Sequence, residues 1–271
     1  YYDNMGRKDT PKISKNKKRF TQITFTPDYE KLGITLDNDH FMILKRRCFE
    51  IAATNAHISV SFNGELIKIK SFEAFAKMFT PDQIYFGNDR MQVSLQASDS
   101  GFRHISFVNS THTKQGGTHV DYVTTQIINK IRDYIEKKTK QDIKPYEIKK
   151  HFFIAINATV NNPRYDTQTK VNLITPQKDY GSSLIIDEKT VKAIIKSPIV
   201  SSIIAWAEKK KAAEELSELE KKNKSLEKGT FRHIKKYEPA TSKVRSKCIL
   251  FIAEGDSAAK SLQSARNPEI H

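Results

Sequence analysis

A long amphipathic pattern in the middle of the chain, followed by an apolar run, most restricts the possible folds. Apolar side chains recur every three or four residues after Gly116-Gly117, at Val120, Val123, Ile127, Ile131 and Tyr134. This spacing predicts a long helix with one buried face. The run 152–156 is apolar and predicts a buried strand. Because strand and helix patterns alternate along the chain, we predict the α/β (α+β) fold class.

The clearest local prediction is a β-hairpin centred on Asn63-Gly64. Apolar and polar residues alternate over 58–62 and again over 67–69, and Asn-Gly tolerates the positive φ angles of a two-residue turn. The same patterns predict further strands over 20–25, 91–97 and 105–107, a helix that starts at Asp37-Asn38-Asp39, and a short helix over 72–79.

The chain of 271 residues is strongly basic, with 46 Lys and Arg against 31 Asp and Glu, a net charge of +15. Such a surface attracts polyanions, so nucleic acid or nucleotide phosphate is the expected partner; the alternative is a surface that serves solubility alone.

No apolar run approaches the ~18 residues of a membrane helix. The absence of an initial Met and of a signal-peptide pattern predicts an internal piece of a soluble protein. Two distant cysteines, Cys48 and Cys248, favour an intracellular setting.

Composition divides the chain into segments. Residues 7–19 predict a solvated basic loop, and residues 208–228, rich in Lys and Glu, predict an exposed helix that links domains. The apolar run 248–253 then predicts a strand, followed by a helix of small residues over 258–265. A second fold is therefore expected to begin there.

The segment 162–170 is the first candidate site. It follows a buried strand, and Pro163 turns the chain away from that strand. A loop in this place can present Lys170 to a phosphate as a point charge, with Gln168 and Thr169 adding hydrogen bonds. The alternative is a polar surface turn.

The second candidate is Glu254, in the sequence Glu-Gly-Asp-Ser-Ala after the apolar run. A carboxylate at a strand end can hold Mg²⁺ or transfer a proton in phosphoryl chemistry. The alternative is an acidic turn that caps a helix.

Two further motifs have simpler explanations. Gly116-Gly117 before a helix could admit an anion, although a structural turn explains the glycines better, and His112 and His119 have little support as a metal site or general base. Lysines at the end of the long helix suit the helix dipole, and DNA phosphate is the more specific alternative. These lysines are Lys137, Lys138 and Lys140.

Five motifs together resemble type IIA DNA topoisomerases, in the same order and over nearly the whole chain. They are 25–28 (Phe-Thr-Pro-Asp), 101–110, 116–119, 162–170 and 254–258. The resemblance implies the tail of an ATPase domain over 1–19 and a ribosomal-S5-like transducer domain over 20–200. It also implies a helical linker over 201–246 and, over 247–271, the first strand and helix of a Rossmann-like toprim domain.

The resemblance also implies roles and cofactors. Gln168, Thr169 and Lys170 would contact ATP, with Lys170 at the γ-phosphate, and hydrolysis would release the contact and let the transducer rotate. Glu254 would correspond to the toprim glutamate, which binds Mg²⁺ and serves as acid and base in DNA cleavage. The three lysines that end the long helix fall roughly where related enzymes contact the transported duplex.

The implied partners are double-stranded DNA and a subunit or domain that carries the cleavage tyrosine, in a homodimer, a heterotetramer or a larger assembly, with no membrane. The Lys-rich linker and the ending 263–271 are most similar to the large subunit of T-even-type bacteriophages. Localisation would then be the host bacterial cytoplasm, or the nucleus for a eukaryotic enzyme. The segment 233–239 departs from the common eukaryotic pattern, and the ATP pocket, the remaining Mg²⁺ ligands and the tyrosine are expected outside this chain.

Two other functions are compatible with the same residues. One is a non-enzymatic basic module of S5-like fold that binds nucleic acid, in which Lys170 and Glu254 are surface residues. The other is a primase-type or nuclease-type toprim protein, which would not need the 168–170 loop.

Overall fold

The computed structural model describes the chain apart from residues 4, 16, 80 and 230–235, and for residues 222–229 it describes only the backbone. The chain divides into two compact units, Tyr1–Phe75 and Ala76–His271.

The first unit contains two helices and a small hairpin. Helix α1 spans Tyr29–Leu32 and α2 spans Asn38–Thr54, with the Asp37 carboxylate accepting a hydrogen bond from the His40 amide at 3.1 Å. Strands β1 (Ser61–Phe62) and β2 (Glu65–Leu66) pair antiparallel. Asn63 and Gly64 have φ angles of 50° and 82°, which confirms the predicted turn.

The predicted strand over 20–25 is wrong. The segment has no regular secondary structure, and Phe25 is 78% exposed. Alternating side chains permit a strand, but a strand also needs a neighbour to pair with its backbone groups. No described residue supplies one here.

The second unit is built on a mixed five-stranded sheet. Helix α3 (Phe72–Lys77) begins in the first unit and ends in the second. The strands of the sheet follow it: β3 (Ile84–Asn88), β4 (Met91–Ala97), β5 (Arg103–Val108) and β6 (Thr111–His112), and later β8 (Phe152–Ala158). The strand order is β3-β4-β8-β5-β6; β5 and β8 run parallel and the other neighbours antiparallel. The predicted short helix and the predicted strands over 91–97, 105–107 and 152–156 are thereby confirmed.

A second, two-stranded sheet joins β7 (Gly116–Gly117) to β9 (Asn172–Leu173) in parallel. Helix α4 (Thr118–Thr139) follows β7 directly, and α5 (Pro145–Lys149) leads into β8. Four of the five predicted apolar positions of α4 are buried, while Tyr134 is half-buried and Ile135 is buried beside it. The predicted long helix is therefore confirmed.

Helices α6 (Glu188–Lys196) and α7 (Pro198–Gly229) close the core. Ile194, Ile199 and Ile203 are buried together with residues of α4 and of the five-stranded sheet. Helix α7 contains the predicted charged helix over 208–228. Among the described residues no single helix is long and apolar enough to cross a membrane; α6 and α7 satisfy those criteria only as a bent pair.

The C-terminal part agrees only partly with the prediction. Helix α8 (Asp256–Ala265) forms, but 248–253 forms no strand, and Leu250 and Ile252 are 70% and 86% exposed. The Ile249 amide donates to the Ile270 carbonyl, yet no described strand lies alongside this segment. Because no described strand pairs with the apolar segment 248–253, this segment forms no strand and most of it stays exposed.

Candidate functional site

The candidate site lies where the parallel strands β5 and β8 end. Because parallel strands end at the same edge of a sheet, the segments that follow Val108 and Ala158 meet there. The Asn109 side chain joins them: its Oδ1 accepts from the Val160 amide at 2.9 Å and its Nδ2 donates to the Val160 carbonyl at 3.0 Å. This side chain fixes the direction in which the chain leaves β8.

The predicted 162–170 loop is part of a small hairpin that we call the 164–174 hairpin. The Ile174 amide donates to the Arg164 carbonyl at 2.9 Å, and the Asp166 amide donates to the Asn172 carbonyl at 3.3 Å. At the tip, the Lys170 amide donates to the Thr167 carbonyl at 3.0 Å, which closes a tight turn. The tip is held by backbone bonds and is therefore more than a loose surface loop.

The hairpin rests on the start of α4. Asn172–Leu173 pairs in parallel with Gly116–Gly117, and the Gln115 amide donates to the Val171 carbonyl at 2.9 Å. Gly117 has a φ of 125°, and a Cβ there would collide with the backbone of Leu173. The glycine pair therefore serves as a structural turn, as predicted, and permits close backbone approach.

Side chains at the tip form a second set of contacts. The Thr167 hydroxyl lies 2.9 Å from the Thr169 hydroxyl and donates to Asp166 Oδ1 at 3.3 Å, while Asn172 Nδ2 donates to Asp166 Oδ2 at 3.2 Å. Lys170 has a φ of 58°, a left-handed conformation that costs about 1 kcal/mol or more for a residue other than glycine.

The Lys170 ammonium is available for a ligand. It lies 5.9 Å from the centroid of the Tyr165 ring, and no carboxylate of the described residues lies within 4.0 Å of it. An exposed cation beside an aromatic ring keeps most of its capacity to bind an anion.

The hairpin borders a cavity of about 530 Å³. The cavity is lined by Asn109, Thr111, Pro163, Tyr165, Asp166, Thr167, Gln168 and Lys170. Two of the three predicted loop residues, Gln168 and Lys170, therefore face one space, whereas Thr169 supports the turn through Thr167. A larger depression of about 870 Å³ in the first unit is lined by 12–14 and 18–21, which carry no regular secondary structure to fix its geometry.

His119 is a structural residue. It is fully buried in α4, and its Nε2 lies 3.2 Å from the Thr113 hydroxyl, which bonds in turn to Ser106. Burial lowers the pKa of His119 to about 3, with a smaller contribution from nearby His104. The ring is therefore neutral at physiological pH, and no general-base role follows. The centre of the His112 ring lies 5.1 Å from that of Phe107, with the two rings tilted by 32°, and His112 likewise does not line the cavity.

The three predicted DNA-binding lysines are exposed at the end of α4. Lys138 lies 5.8 Å from the centre of the Tyr134 ring, and Lys140 ends the helix with a φ of 59°. None of Lys137, Lys138 and Lys140 forms an ion pair with a described residue. Their geometry suits both the helix dipole and contact with a phosphate backbone.

Glu254 stands apart from the cavity. It is exposed just before α8, and the nearby Asp256 carboxylate pairs with the Lys236 ammonium. Among the described residues there is no group of three or more His, Cys, Asp or Glu side chains that could hold a metal ion. Within the part of the chain that the structure describes, Glu254 is therefore not accompanied by a ligand set that would complete a Mg²⁺ site.

The sequence motifs 101–110 and 162–170 include Asn109 and Asp166, but sequence reasoning gave these two residues no role of their own and did not include Asn172, which bonds Asp166. Asn109 and Ser110 have φ angles of 48° and 63°, so they form the turn between β5 and β6. Asn-Ser between two strand patterns was a detectable sign of that turn. Nothing local marks the pairing of Asp166 with Asn172, which depends on the hairpin register.

Two solved structures share this architecture. The ATPase region of Saccharomyces cerevisiae topoisomerase II matches with a TM-score of 0.62 and 34% identity, over 67% of this chain and 49% of that chain. The ATPase and transducer domains of DNA topoisomerase II from Balamuthia mandrillaris match with a TM-score of 0.62 and 31% identity, over 64% and 46%. About two thirds of this chain therefore shares the fold of part of the ATPase and transducer region of type II topoisomerases.

The chain belongs to the DNA gyrase B family, whose sequence model matches residues 60–223. DNA topoisomerase 2 top-2 of Caenorhabditis elegans is 36% identical over 94% of the chain, and human DNA topoisomerase 2-alpha is 35% identical over 95%. The chain spans only 18% of the length of each of these relatives. The resemblance to type IIA topoisomerases is confirmed, and the similarity to bacteriophage enzymes stays a prediction.

The close approach of Gly117 to Leu173 gives a first test. Gly117→Ala should lower the free energy of unfolding by about 2–4 kcal/mol, because the methyl group forces the two strands apart and the φ angle is unfavourable. Unfolding in guanidinium chloride measures the loss.

Gly101→Ala is the matched control, because Gly101 has a φ of 84° and nothing within 4 Å of its would-be Cβ. It should cost about 1 kcal/mol, the backbone term alone. Equal losses for the two variants would show that the strand contact contributes nothing.

Proposed function

We propose that this chain is the transducer segment of an ATP-dependent type II DNA topoisomerase, and that Lys170 senses the terminal phosphate of ATP. The observation that carries the proposal is the unpaired Lys170 ammonium at the tip of a backbone-fixed hairpin, beside a cavity. Family membership supports the same assignment. Nothing observed favours the non-enzymatic alternative or the primase-type alternative.

The hairpin supplies the kind of contact that a γ-phosphate requires. Lys170 provides a positive point charge, and the Gln168 amide lines the same cavity and can donate a hydrogen bond. The ordered turn holds both side chains before a ligand arrives, which reduces the entropy cost of binding. ATP supplies the phosphate whose presence or absence changes the state of the tip; the residues of the nucleotide pocket are expected elsewhere in the full-length protein.

Two sets of hydrogen bonds connect α4 with the segments that follow the hairpin. At its base the Thr118 hydroxyl donates to the Thr175 carbonyl at 2.6 Å, and the Tyr180 hydroxyl donates to Thr118 at 2.7 Å. One turn further along α4, Tyr122 bonds both the amide and the carbonyl of Leu184, just before α6. If phosphate binding at Lys170 displaces the hairpin, the displacement would therefore reach α4 and the segment that leads to α6 and α7.

Replacement of Lys170 tests the proposed contact. In the full-length enzyme, Lys170→Ala should reduce ATP-driven strand passage about tenfold or more, the expected effect of losing a charge-assisted hydrogen bond. Strand passage is measured by relaxation of supercoiled DNA together with ATP hydrolysis.

Lys178→Ala is the control, since Lys178 is an exposed lysine of the same unit that does not line the cavity. It should leave both rates unchanged. Unaltered relaxation and hydrolysis by Lys170→Ala would refute the assigned role.

We further propose double-stranded DNA as the partner of the exposed lysines that end α4. The support is their exposure and their lack of ion pairs with described residues, together with the net charge of +15. A dimeric assembly, a partner domain or subunit that carries the cleavage tyrosine, and a nuclear location, as expected for a eukaryotic enzyme, belong to the same proposal.

Replacing Lys137, Lys138 and Lys140 together by Gln should flatten the salt dependence of DNA binding. The slope of log affinity against log salt should fall by about 2–3, because each lost phosphate contact removes about 0.9. Filter binding of a linear duplex across a salt series measures the slope in the full-length protein.

The matched control changes three exposed lysines elsewhere in the second unit, Lys178, Lys189 and Lys196, to Gln. It alters the net charge equally and should leave most of the slope intact. An equal change in both triple variants would indicate general charge attraction without a site at the end of α4.

We also propose Glu254 as one carboxylate ligand of Mg²⁺ in DNA cleavage. The support is its exposed position directly before a helix in the motif that resembles the toprim glutamate. When bound, Mg²⁺ would neutralise charge at the scissile phosphate. The remaining ligands are expected outside the described residues.

Glu254→Gln should abolish Mg²⁺-dependent cleavage of duplex DNA by the full-length enzyme while ATP hydrolysis persists. Removal of the charge takes away a metal ligand and leaves the size of the side chain unchanged. Glu269→Gln, another exposed carboxylate near the end of the chain, should cleave normally. Cleavage retained by Glu254→Gln would remove this residue from the metal site.

A further inference from the structure

Lys170 and a carboxylate of opposite charge line the same cavity without pairing. Asp166 lies four residues before Lys170, on the other side of the turn, and both side chains border the 530 Å³ space. An exposed Asp and Lys attract each other only weakly, so a hydrogen bond to either side chain can decide whether they pair. No ion pair joins Asp166 and Lys170 within 4.0 Å.

Both carboxylate oxygens of Asp166 have other partners. Oδ1 accepts a hydrogen bond from the Thr167 hydroxyl at 3.3 Å, and Oδ2 accepts one from Asn172 Nδ2 at 3.2 Å. Thr167 is the next residue in the chain, and its hydroxyl also lies 2.9 Å from the Thr169 hydroxyl. Asn172 lies across the hairpin and therefore decides on which side of the turn the carboxylate stays.

We propose that Asn172 is a positioning residue that holds Asp166 away from Lys170 and so keeps the ammonium available for the γ-phosphate. This inference rests on the proposed phosphate-sensing role of Lys170. Without the Asn172 amide, the Asp166 carboxylate rotates toward Lys170 and competes with the incoming phosphate. The hairpin thus contains a competing negative charge, and the hydrogen bond that restrains it from across the hairpin comes from Asn172.

The backbone makes this role separable from folding of the hairpin. The bond from the Asp166 amide to the Asn172 carbonyl, the bond from Ile174 to Arg164, and the pairing of β9 with β7 use no side-chain atoms. Truncation of the Asn172 side chain therefore frees the carboxylate and leaves the hairpin framework in place.

The two possible roles of the Asp166–Asn172 bond predict opposite results for Asp166→Asn. If the bond only stabilises the hairpin, Asp166→Asn weakens it as Asn172→Ala does, and combining the changes brings no recovery. If the bond restrains a competing charge, Asp166→Asn removes the competitor, and the double variant recovers.

The experiment measures the affinity of the full-length protein for ADP and for a non-hydrolysable ATP analogue with an imido bridge between the β- and γ-phosphates. Asn172→Ala should weaken binding of the analogue by up to about fivefold, because the phosphate must then displace an exposed Asp–Lys ion pair, and leave ADP affinity unchanged. Asp166→Asn alone and the double variant should both bind the analogue within about twofold of the unmodified protein. Thermal unfolding of each variant reports whether the fold is intact.

Loss of analogue affinity in Asp166→Asn, or failure of the double variant to recover, overturns the inference, and so does unchanged binding by Asn172→Ala. Because Asp166→Asn has its own predicted result, the test stands even if Asn172→Ala fails to fold. Lys170→Ala distinguishes a failure of the proposed role of Lys170 from a failure of the inference on Asn172. If it leaves the preference for the analogue over ADP unchanged, the phosphate-sensing function fails and this inference with it. If it abolishes that preference while Asn172→Ala does not reduce it, only the inference on Asn172 is wrong.

Discussion

The parallel pairing of β7 with β9 is the interaction on which the candidate site depends. It joins two segments more than fifty residues apart in the chain, and it brings the base of the 164–174 hairpin to the first turn of α4. The contact is possible only because Gly117 has no side chain, since any Cβ would overlap the Leu173 backbone. The absence of a side chain at Gly117 thus determines where the hairpin tip with Lys170 lies, and it places the base of the hairpin against α4.

Much of the fold was predictable from the sequence, because local patterns carry it. The Asn63-Gly64 turn and the apolar face of α4 follow from backbone preference and helical periodicity, which act over a few residues. The segments 20–25 and 248–253 show the limit of this reasoning. Alternating or apolar side chains are compatible with a strand, but a strand forms only when a neighbouring strand pairs with its backbone. The described residues provide no such strand for either segment.

The candidate site was predictable in part. Lys170 and Gln168 were identified from a loop after a buried strand, and both line the cavity. The roles of Asn109 and of the Asp166–Asn172 pair were not predicted, because they depend on contacts across the hairpin or between strands. The sequence shows where a polar residue stands in the chain. Which partner it contacts depends on the register of the paired strands, and the sequence does not show that register.

Helix α7 has a mechanical consequence. At about 1.5 Å per residue, its 32 residues give a rod of about 48 Å, anchored at one end by Ile199 and Ile203 in the core. Such a rod acts as a lever arm: a tilt of about 10° at the anchored end would sweep the far end through about 8 Å. Sub-ångström shifts of the anchored end near the sheet can in this way displace the far end of α7 by about the length of a side chain. The size of this displacement depends on the stiffness of the helix.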